Sequence, residues 1–370
     1  MKREMPLSSQ QLAFLAFLFI PGSSLVFVTG QAAGQSAWLA EMIAIIPGIY
    51  ILWAILKLHD RFPGLRITEI SCELLGRFLG TVLNILFFWS IFVFAAEFVY
   101  DIGLLLKVIY PTIPRLIIFP IIIFPCIYAL YKGLTVLGRL GELFFFIAVF
   151  FIILAIIMAI PIMDISKLKP VVNEWKPLVA GFLYAADWPF DEVVIFALFL
   201  PLVSNLKQEK RKVYMWYLLS GGAMVILSLQ TISILGPYLT KLSQFPIFEV
   251  FRLVGFGEFR RLEMGFLLLW FLTGVTAITI LLQGILFICQ DVFSLKDFKP
   301  LILPLGLAMV VFTSYMFPSD ITYNLLGFKY TPVYTFPVNL LYPTILLIAA
   351  KLRKPQSQNQ AAESSDQPST

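Results

Sequence analysis

Apolar runs long enough to cross a bilayer follow one another from Leu12 to Ala350, and that succession limits the fold more than any motif does. A hydrocarbon core of ~30 Å takes about 20 residues of α-helix. Inside it every backbone polar group must be paired within the protein, so only helices and closed barrels can span it. The runs lack the polar–apolar alternation of barrel strands. They predict an all-α polytopic membrane protein, and a chain that is 59% hydrophobic and 13% charged agrees. Residues 1–10 are polar, and no cleavage-site pattern follows the first run, which predicts a retained span and not a signal peptide.

Ten transmembrane helices are expected, at about 10–30, 38–58, 80–106, 114–130, 141–162, 181–204, 213–235, 262–292, 301–317 and 333–352. The polar segment 59–78 has the length of one helix lying along the membrane surface. Residues 1–354 thus form a single transmembrane domain, and 355–370 a disordered cytoplasmic tail by composition. Lys and Arg are more frequent in the loops on the side of the N-terminus, which places both termini in the cytoplasm. Ten spans divide as five plus five, with repeat one at about 8–163 and repeat two at about 178–354. Because five is odd, corresponding spans 1 and 6 would run in opposite directions, the logic of an inverted repeat.

Spans 1 and 6 are also the interrupted ones. Span 1 carries Pro21, Gly22, Ser23 and Ser24, and span 6 carries Asp187, Trp188 and Pro189 in its first half, followed by Asp191 and Glu192. A helix starting only at Pro189 would cover roughly 22 Å, short of the core. Broken helices free N–H and C=O groups from their i→i−4 partners. Freed N–H groups can hold a carboxylate, and freed carbonyls an ammonium or a cation. The candidate substrate-binding residues are therefore Pro21, Gly22, Ser23 and Ser24, with Ala185, Ala186, Asp187 and Trp188. A kink healed by neighbouring helices is the structural alternative.

Asp187 and Asp191 are spaced to share a helix face. They could bind an amine, a polyol or a cation, or Asp187 could cap the helix before Pro189. Glu97 and Asp101 have the same spacing inside span 3. Glu97 is a candidate for the cavity side, and the alternative for the pair is Lys107 or loop arginines. Thr273, Thr276 and Thr279 form a polar stripe on span 8. Thr273 and Thr276 are a possible cation site if the stripe touches the break in span 1; such hydroxyls also bond their own helix carbonyls.

Other chemistries lack their residues. Cys72, Cys126 and Cys289 are far apart, and His59 is the single histidine, so neither a metal site nor a nucleophile–base pair is expected. No phosphate-binding glycine loop is present. The net charge of +5 lies in loops beside spans and does not indicate nucleic acid. No cofactor and no enzymatic activity are expected.

Several short motifs, in order, resemble the B subunits of spore germinant receptors. They are Gly22-Ser23-Ser24, Ala33-Gly34-Gln35-Ser36-Ala37-Trp38, Arg61-Phe62-Pro63-Gly64, Leu74-Leu75-Gly76-Arg77-Phe78-Leu79-Gly80, Phe245-Pro246-Ile247-Phe248-Glu249 and Arg261-Leu262-Glu263. The resemblance covers all ten spans. It implies the fold of the amino acid–polyamine–organocation transporter superfamily and residence in the inner membrane of the endospore. It also implies A and C receptor subunits as partners, and a role in binding a small nutrient, an amino acid or a sugar, to trigger germination. The competing readings are an amino acid permease coupled to H⁺ or Na⁺, and a membrane scaffold with a vestigial pocket.

Overall fold

The computed structural model describes residues 6–172, 174–253 and 262–352. Lys2, Arg3, Arg260, Arg261, the side chain of Glu263 and the tail 355–370 lie outside the described residues. Eight helices are long and apolar enough to cross a membrane, by length and composition, among the described residues. Two further elements are interrupted, and these two hold the centre.

The first is α1 (Ser9–Ser24), entered through a capping box. The Ser8 hydroxyl accepts the Gln11 N–H at 3.1 Å, and the Gln11 side chain accepts the Ser8 N–H at 3.0 Å, which satisfies two of the four orphan donors of the first turn. The helix then passes through Pro21. Proline supplies no N–H to the Phe17 carbonyl, and that carbonyl receives the Ser220 hydroxyl at 2.7 Å. Regular helix ends at Ser24, so the interruption falls at 25–30 and not at Pro21-Gly22. Gly22 serves a close approach instead. A Cβ there would lie 2.6 Å from the Thr273 carbonyl oxygen.

Then come α2 (Ala37–Arg61), α3 (Ile67–Ile109), α4 (Arg115–Lys132) and α5 (Leu134–Ala159). Gly76, at φ 81°, divides α3, so a short leading helix precedes the span, where the sequence predicts a surface helix. The second interrupted element starts as α6 (Trp175–Ala185) and opens into one wide turn over Ala186–Phe190, with Trp188 extended at φ −131° and ψ 115°. It resumes as tight 3₁₀ turns over Asp191–Leu198 and Leu200–Leu202. The long α7 (Leu206–Leu242) and α8 (Pro246–Leu253) follow, then α9 (Leu262–Val292), α10 (Ile302–Met316), α11 (Asp320–Leu325) and α12 (Thr331–Leu352).

The two interrupted elements run in opposite directions through the core. At one end β1 (Leu7–Ser8) pairs in register with β2 (Val203–Ser204). Farther along, the Phe19 and Phe196 ring centroids are 5.6 Å apart, and those of Phe27 and Trp188 5.0 Å. At the far end a Cβ on Gly181 would lie 2.7 Å from the Gly30 carbonyl oxygen. From α1 onward sequence numbers rise on one element as they fall on the other, while the two-residue strands themselves pair in parallel. Leu12 to Ser24 and Phe190 to Leu202 are buried throughout, so the pair forms the packed axis of the bundle.

Candidate functional site

The wide turn after α6 brings carboxyl groups into the interior. Asp187 is 2% exposed, Asp191 and Glu192 are 0%. Each meets a different environment. The Thr335 hydroxyl of α12 donates to Asp187 Oδ1 at 2.6 Å. Asn339, one turn farther along α12, donates its amide to Asp191 Oδ1 at 3.3 Å, and its own oxygen accepts Ser90 Oγ at 3.0 Å. Asp191 Oδ2 and both oxygens of Glu192 are buried with no hydrogen-bond partner. The Phe190 carbonyl, freed by the turn, accepts the Tyr217 hydroxyl at 2.9 Å. Gly48 makes that possible, since a Cβ there would overlap the Tyr217 oxygen.

Two more carboxyl groups come from α3. Thr331 Oγ1 donates to Glu97 Oε1 at 2.7 Å, and Tyr323 donates to Asp101 Oδ1 at 2.5 Å. Glu97, Asp101 and Asp187 line one cavity of about 20 Å³ together with Phe98, Tyr184, Trp188, Tyr323, Gly327 and Pro332. That is room for a water-sized group. Tyr184 and Tyr323 also line a larger cavity of about 520 Å³, whose wall includes Phe27, Thr29, Lys241 and Asn324. At the opposite end, toward β1 and β2, a third cavity of about 920 Å³ is lined by Arg66, Leu202, Gln283 and Asp291. There Arg66 and Asp291 form a 2.8 Å ion pair, and the Arg66 guanidinium lies 3.9 Å from the Phe287 ring centroid.

Of the expected site residues, Glu97, Asp187 and Trp188 meet in the small cavity, and Ala185 and Ala186 are fully buried in the approach to the turn. Asp187 does not cap the following helix; Phe190 occupies that position without a side-chain bond. Asp101 is buried and bound by Tyr323, while Lys107 reaches the Pro111 and Ile113 carbonyls. Pro21, Gly22, Ser23 and Ser24 are not in the lining of this cavity. The two serine hydroxyls both donate to the Ile20 carbonyl, at 2.9 and 2.8 Å. The α9 stripe does touch α1, at Gly22, but through the Thr273 backbone. Thr273 Oγ1 donates to the Leu269 and Trp270 carbonyls and Thr276 Oγ1 to the Leu272 carbonyl. Among the described residues no group of three or more His, Cys, Asp or Glu could hold a metal ion.

Sequence reasoning missed the α12 contribution. Thr331, Thr335 and Asn339 recur every four residues in an apolar span, which is one polar face of a helix, and that spacing was a usable signal. It also missed Glu41 of α2, 1% exposed, whose Oε1 accepts the Thr29 hydroxyl at 3.1 Å and the Gly30 N–H at 3.0 Å. Through Oε1 Glu41 thereby pairs the unwound stretch after α1, while its Oε2 is buried without a hydrogen-bond partner.

A family model described as spore germination protein matches residues 6–321. Spore germination protein KB of Bacillus subtilis (strain 168) is 27% identical over 366 residues, covering 96% of this chain and 98% of that protein. The putative spore germination protein YfkT of the same organism is 23% identical over 332 residues, 87% and 88% of the two chains. Among solved structures, MhsT in complex with L-phenylalanine matches with a TM-score of 0.68 at 14% identity, over 94% of this chain and 89% of its own. Mhp1, a nucleobase-cation-symport-1 family transporter in a closed conformation with bromovinylhydantoin bound, matches at 0.63 and 12% identity, over 95% and 93%. At these identities the likeness is one of fold, and the fold is that of a transporter.

Proposed function

The chain belongs to the spore germination protein family matched across residues 6–321, and from that premise we propose that it is the nutrient-sensing B subunit of a spore germinant receptor. In this reading it sits in the inner membrane of the endospore with both termini on the core side, beside A and C subunits. The two interrupted elements complete ten spans in a five-plus-five inverted repeat. A small germinant, an amino acid or a sugar, reaches the outer cavity of about 520 Å³. It passes Tyr184 and Tyr323 and engages Asp187, Trp188 and Glu97 at the turn after α6. Different contacts in two packings of the bundle shift their populations, and the partner subunits read the shift.

The observation that carries this reading is the placement of three carboxyl-bearing residues beside the turn after α6, in a cavity that shares Tyr184 and Tyr323 with the cavity of about 520 Å³. Intramembrane ionisable groups are retained for function, and binding sites of transporter folds lie at broken helices. The test is a germination assay on spores whose receptor carries this subunit, with Asp187→Asn and Glu97→Gln at matched receptor level. The nutrient concentration for half-maximal response should rise at least about tenfold, a change of ~1.4 kcal/mol in effective affinity. Unchanged curves for both variants sink the assignment.

A second reading, an amino acid permease driven by H⁺ or Na⁺, is favoured by the cavities at both ends of the central site. Net uptake of a labelled amino acid into liposomes would select it over the sensor, which binds without transport.

A further inference from the structure

We infer that the seam between α2 and α7, at the end of the bundle that holds β1 and β2, binds the phosphate headgroup of an anionic phospholipid. The inference does not depend on the sensing reading and holds equally for a transporter.

The first support is charge. Residues 57–61 and 207–212 carry six Lys or Arg side chains and two carboxylates, Asp60 and Glu209. Both carboxylates are taken, since Asp60 pairs with Lys210 and Glu209 with Lys212. Lys207 and Arg211 have no ion pair among the described residues. They stand four apart on α7, where like charges repel. An anion shared between them removes that repulsion, and a phosphate accepts the planar fork of Arg and the point charge of Lys together.

The second support is where these cations sit. Positions 207, 211, 215, 218, 222 and 226 follow at steps of three and four, which is one face of α7. Met215, Leu218 and Ile226 on that face are 44%, 43% and 44% exposed, so it is the outer face of a span, and Lys207 and Arg211 continue it. The outer face of α2 ends the same way. Met42, Ile46 and Trp53 are exposed, and the Lys57 Nζ lies 4.8 Å from the Trp53 ring centroid. An exposed Trp beneath a Lys at the end of an apolar face marks the level of the lipid headgroups. The two helices lie side by side there, joined by the Lys210–Asp60 pair and, farther in, by Gly48 against Tyr217 and Gly221 against Ile45. Basic groups from two neighbouring spans at headgroup level recognise anionic lipid.

The ligand must therefore be amphiphilic, with acyl chains along Met215, Leu218 and Trp53 and a net negative head between Lys207 and Arg211. A zwitterionic lipid brings its own ammonium into the same cluster and is disfavoured. Because α7 also gives Tyr217 to the Phe190 carbonyl and Ser220 to the Phe17 carbonyl, a lipid that holds α2 to α7 steadies both interrupted elements.

The test uses the purified full-length protein in a neutral detergent. Its melting temperature is followed while phosphatidylglycerol, phosphatidylcholine with the same acyl chains, or inorganic phosphate is titrated in. Native mass spectrometry of the same samples counts the lipids retained. The variants are Lys207→Gln, Arg211→Gln and the two combined. The control is Lys132→Gln with Arg139→Gln, which removes two charges from exposed positions beside Gly138, itself packed against Leu7 at the same end. Phosphatidylglycerol should raise the melting temperature of the wild type and of the control, and phosphatidylcholine and phosphate should not. Each single variant should need several-fold more phosphatidylglycerol, and the double variant at least tenfold more, with one retained lipid fewer. An equal response in wild type and double variant overturns the assignment. So does an equal loss in the control, which would mean diffuse attraction to the whole face, and so does a shift reproduced by inorganic phosphate or by phosphatidylcholine.

Discussion

Where α1 unwinds, the groups released by Pro21 and the lost helix find partners within α1 and on other elements. The Phe17 carbonyl has Ser220, the Ile20 carbonyl has Ser23 and Ser24, the Val26 carbonyl has the Ile247 N–H at 3.2 Å, and the Gly30 N–H has Glu41. Where α6 unwinds, the Phe190 carbonyl is paired to Tyr217, yet Asp191 and Glu192 leave three carboxyl oxygens bare, and Asp187 and Trp188 face a cavity. Two breaks of similar appearance in sequence therefore differ in kind. One is a joint whose backbone groups are paired, with a single bare carboxyl oxygen at Glu41 Oε2, and it fixes the packing of α1 against α7, α8 and α9. The other keeps unmet polar capacity in the interior, a state that proteins retain at binding sites and rarely elsewhere.

The largest expected effect comes from forcing the closed joint. Gly22→Leu would press a branched side chain onto the Thr273 carbonyl, which a Cβ alone would already approach to 2.6 Å. The α1–α9 crossing should separate, with a loss of ~3 kcal/mol or more of stability, read as the midpoint of unfolding in mixed detergent. Tolerance of Gly22→Leu with a normal midpoint would show that α1 and α9 are not packed as described. The same variant therefore says little about ligand binding, although Gly22 stands in the sequence as a site candidate.

That reversal marks the limit of what the residues disclose. The interruption of two elements and the presence of carboxyl groups in apolar runs follow from hydropathy and from Pro, Gly and Asp placed in those runs. Which break is healed does not, because healing depends on Ser220, Ile247 and Glu41, which lie 203, 221 and 11 residues from the groups they pair. Likewise Asp187 reads equally as a helix cap or a ligand group until Thr335, on the last helix, is seen to bind it. Local patterns specify where a helix fails; only the tertiary neighbours specify what the failure is for.

A paired substitution sharpens the contrast next. Glu41→Leu removes the acceptor for the Thr29 hydroxyl and the Gly30 N–H and should cost ~1–3 kcal/mol, because two buried donors lose their partner. Glu192→Leu removes a carboxyl group with no partner to leave behind and should be neutral or stabilising. Opposite signs in the same unfolding assay support the distinction between joint and site. A comparable loss from both would mean that Glu192 is held by something in the folded protein and that element 6 is closed as well.

Smaller in energy but specific to function, Asp187→Asn should leave the unfolding midpoint within about 0.5 kcal/mol of wild type, since the amide oxygen can still accept Thr335. It should nonetheless shift the nutrient response by about tenfold, ~1.4 kcal/mol. A shift in the midpoint alone, with an unchanged response curve, would reassign Asp187 to structure.

Ser220→Ala probes the joint at its finest grain. It deletes one hydroxyl, leaves the packing nearly untouched, and exposes the question of whether the Pro21 defect is healed by that single bond. The Phe17 carbonyl is buried and has lost its helical N–H donor to Pro21, so with Ala at position 220 it would stand unpaired in an apolar interior. A loss of ~1 kcal/mol is expected. The double variant Pro21→Ala with Ser220→Ala supplies the decisive arm, because alanine at 21 restores the backbone N–H to that carbonyl. If the bond from Ser220 is the repair, the cost of Ser220→Ala should largely vanish in the Pro21→Ala background, a coupling of roughly 0.5–1 kcal/mol between residues on two helices. Additive costs would mean that α1 tolerates its proline by other means, and that the joint in element 1 is less tightly closed than its hydrogen bonds indicate.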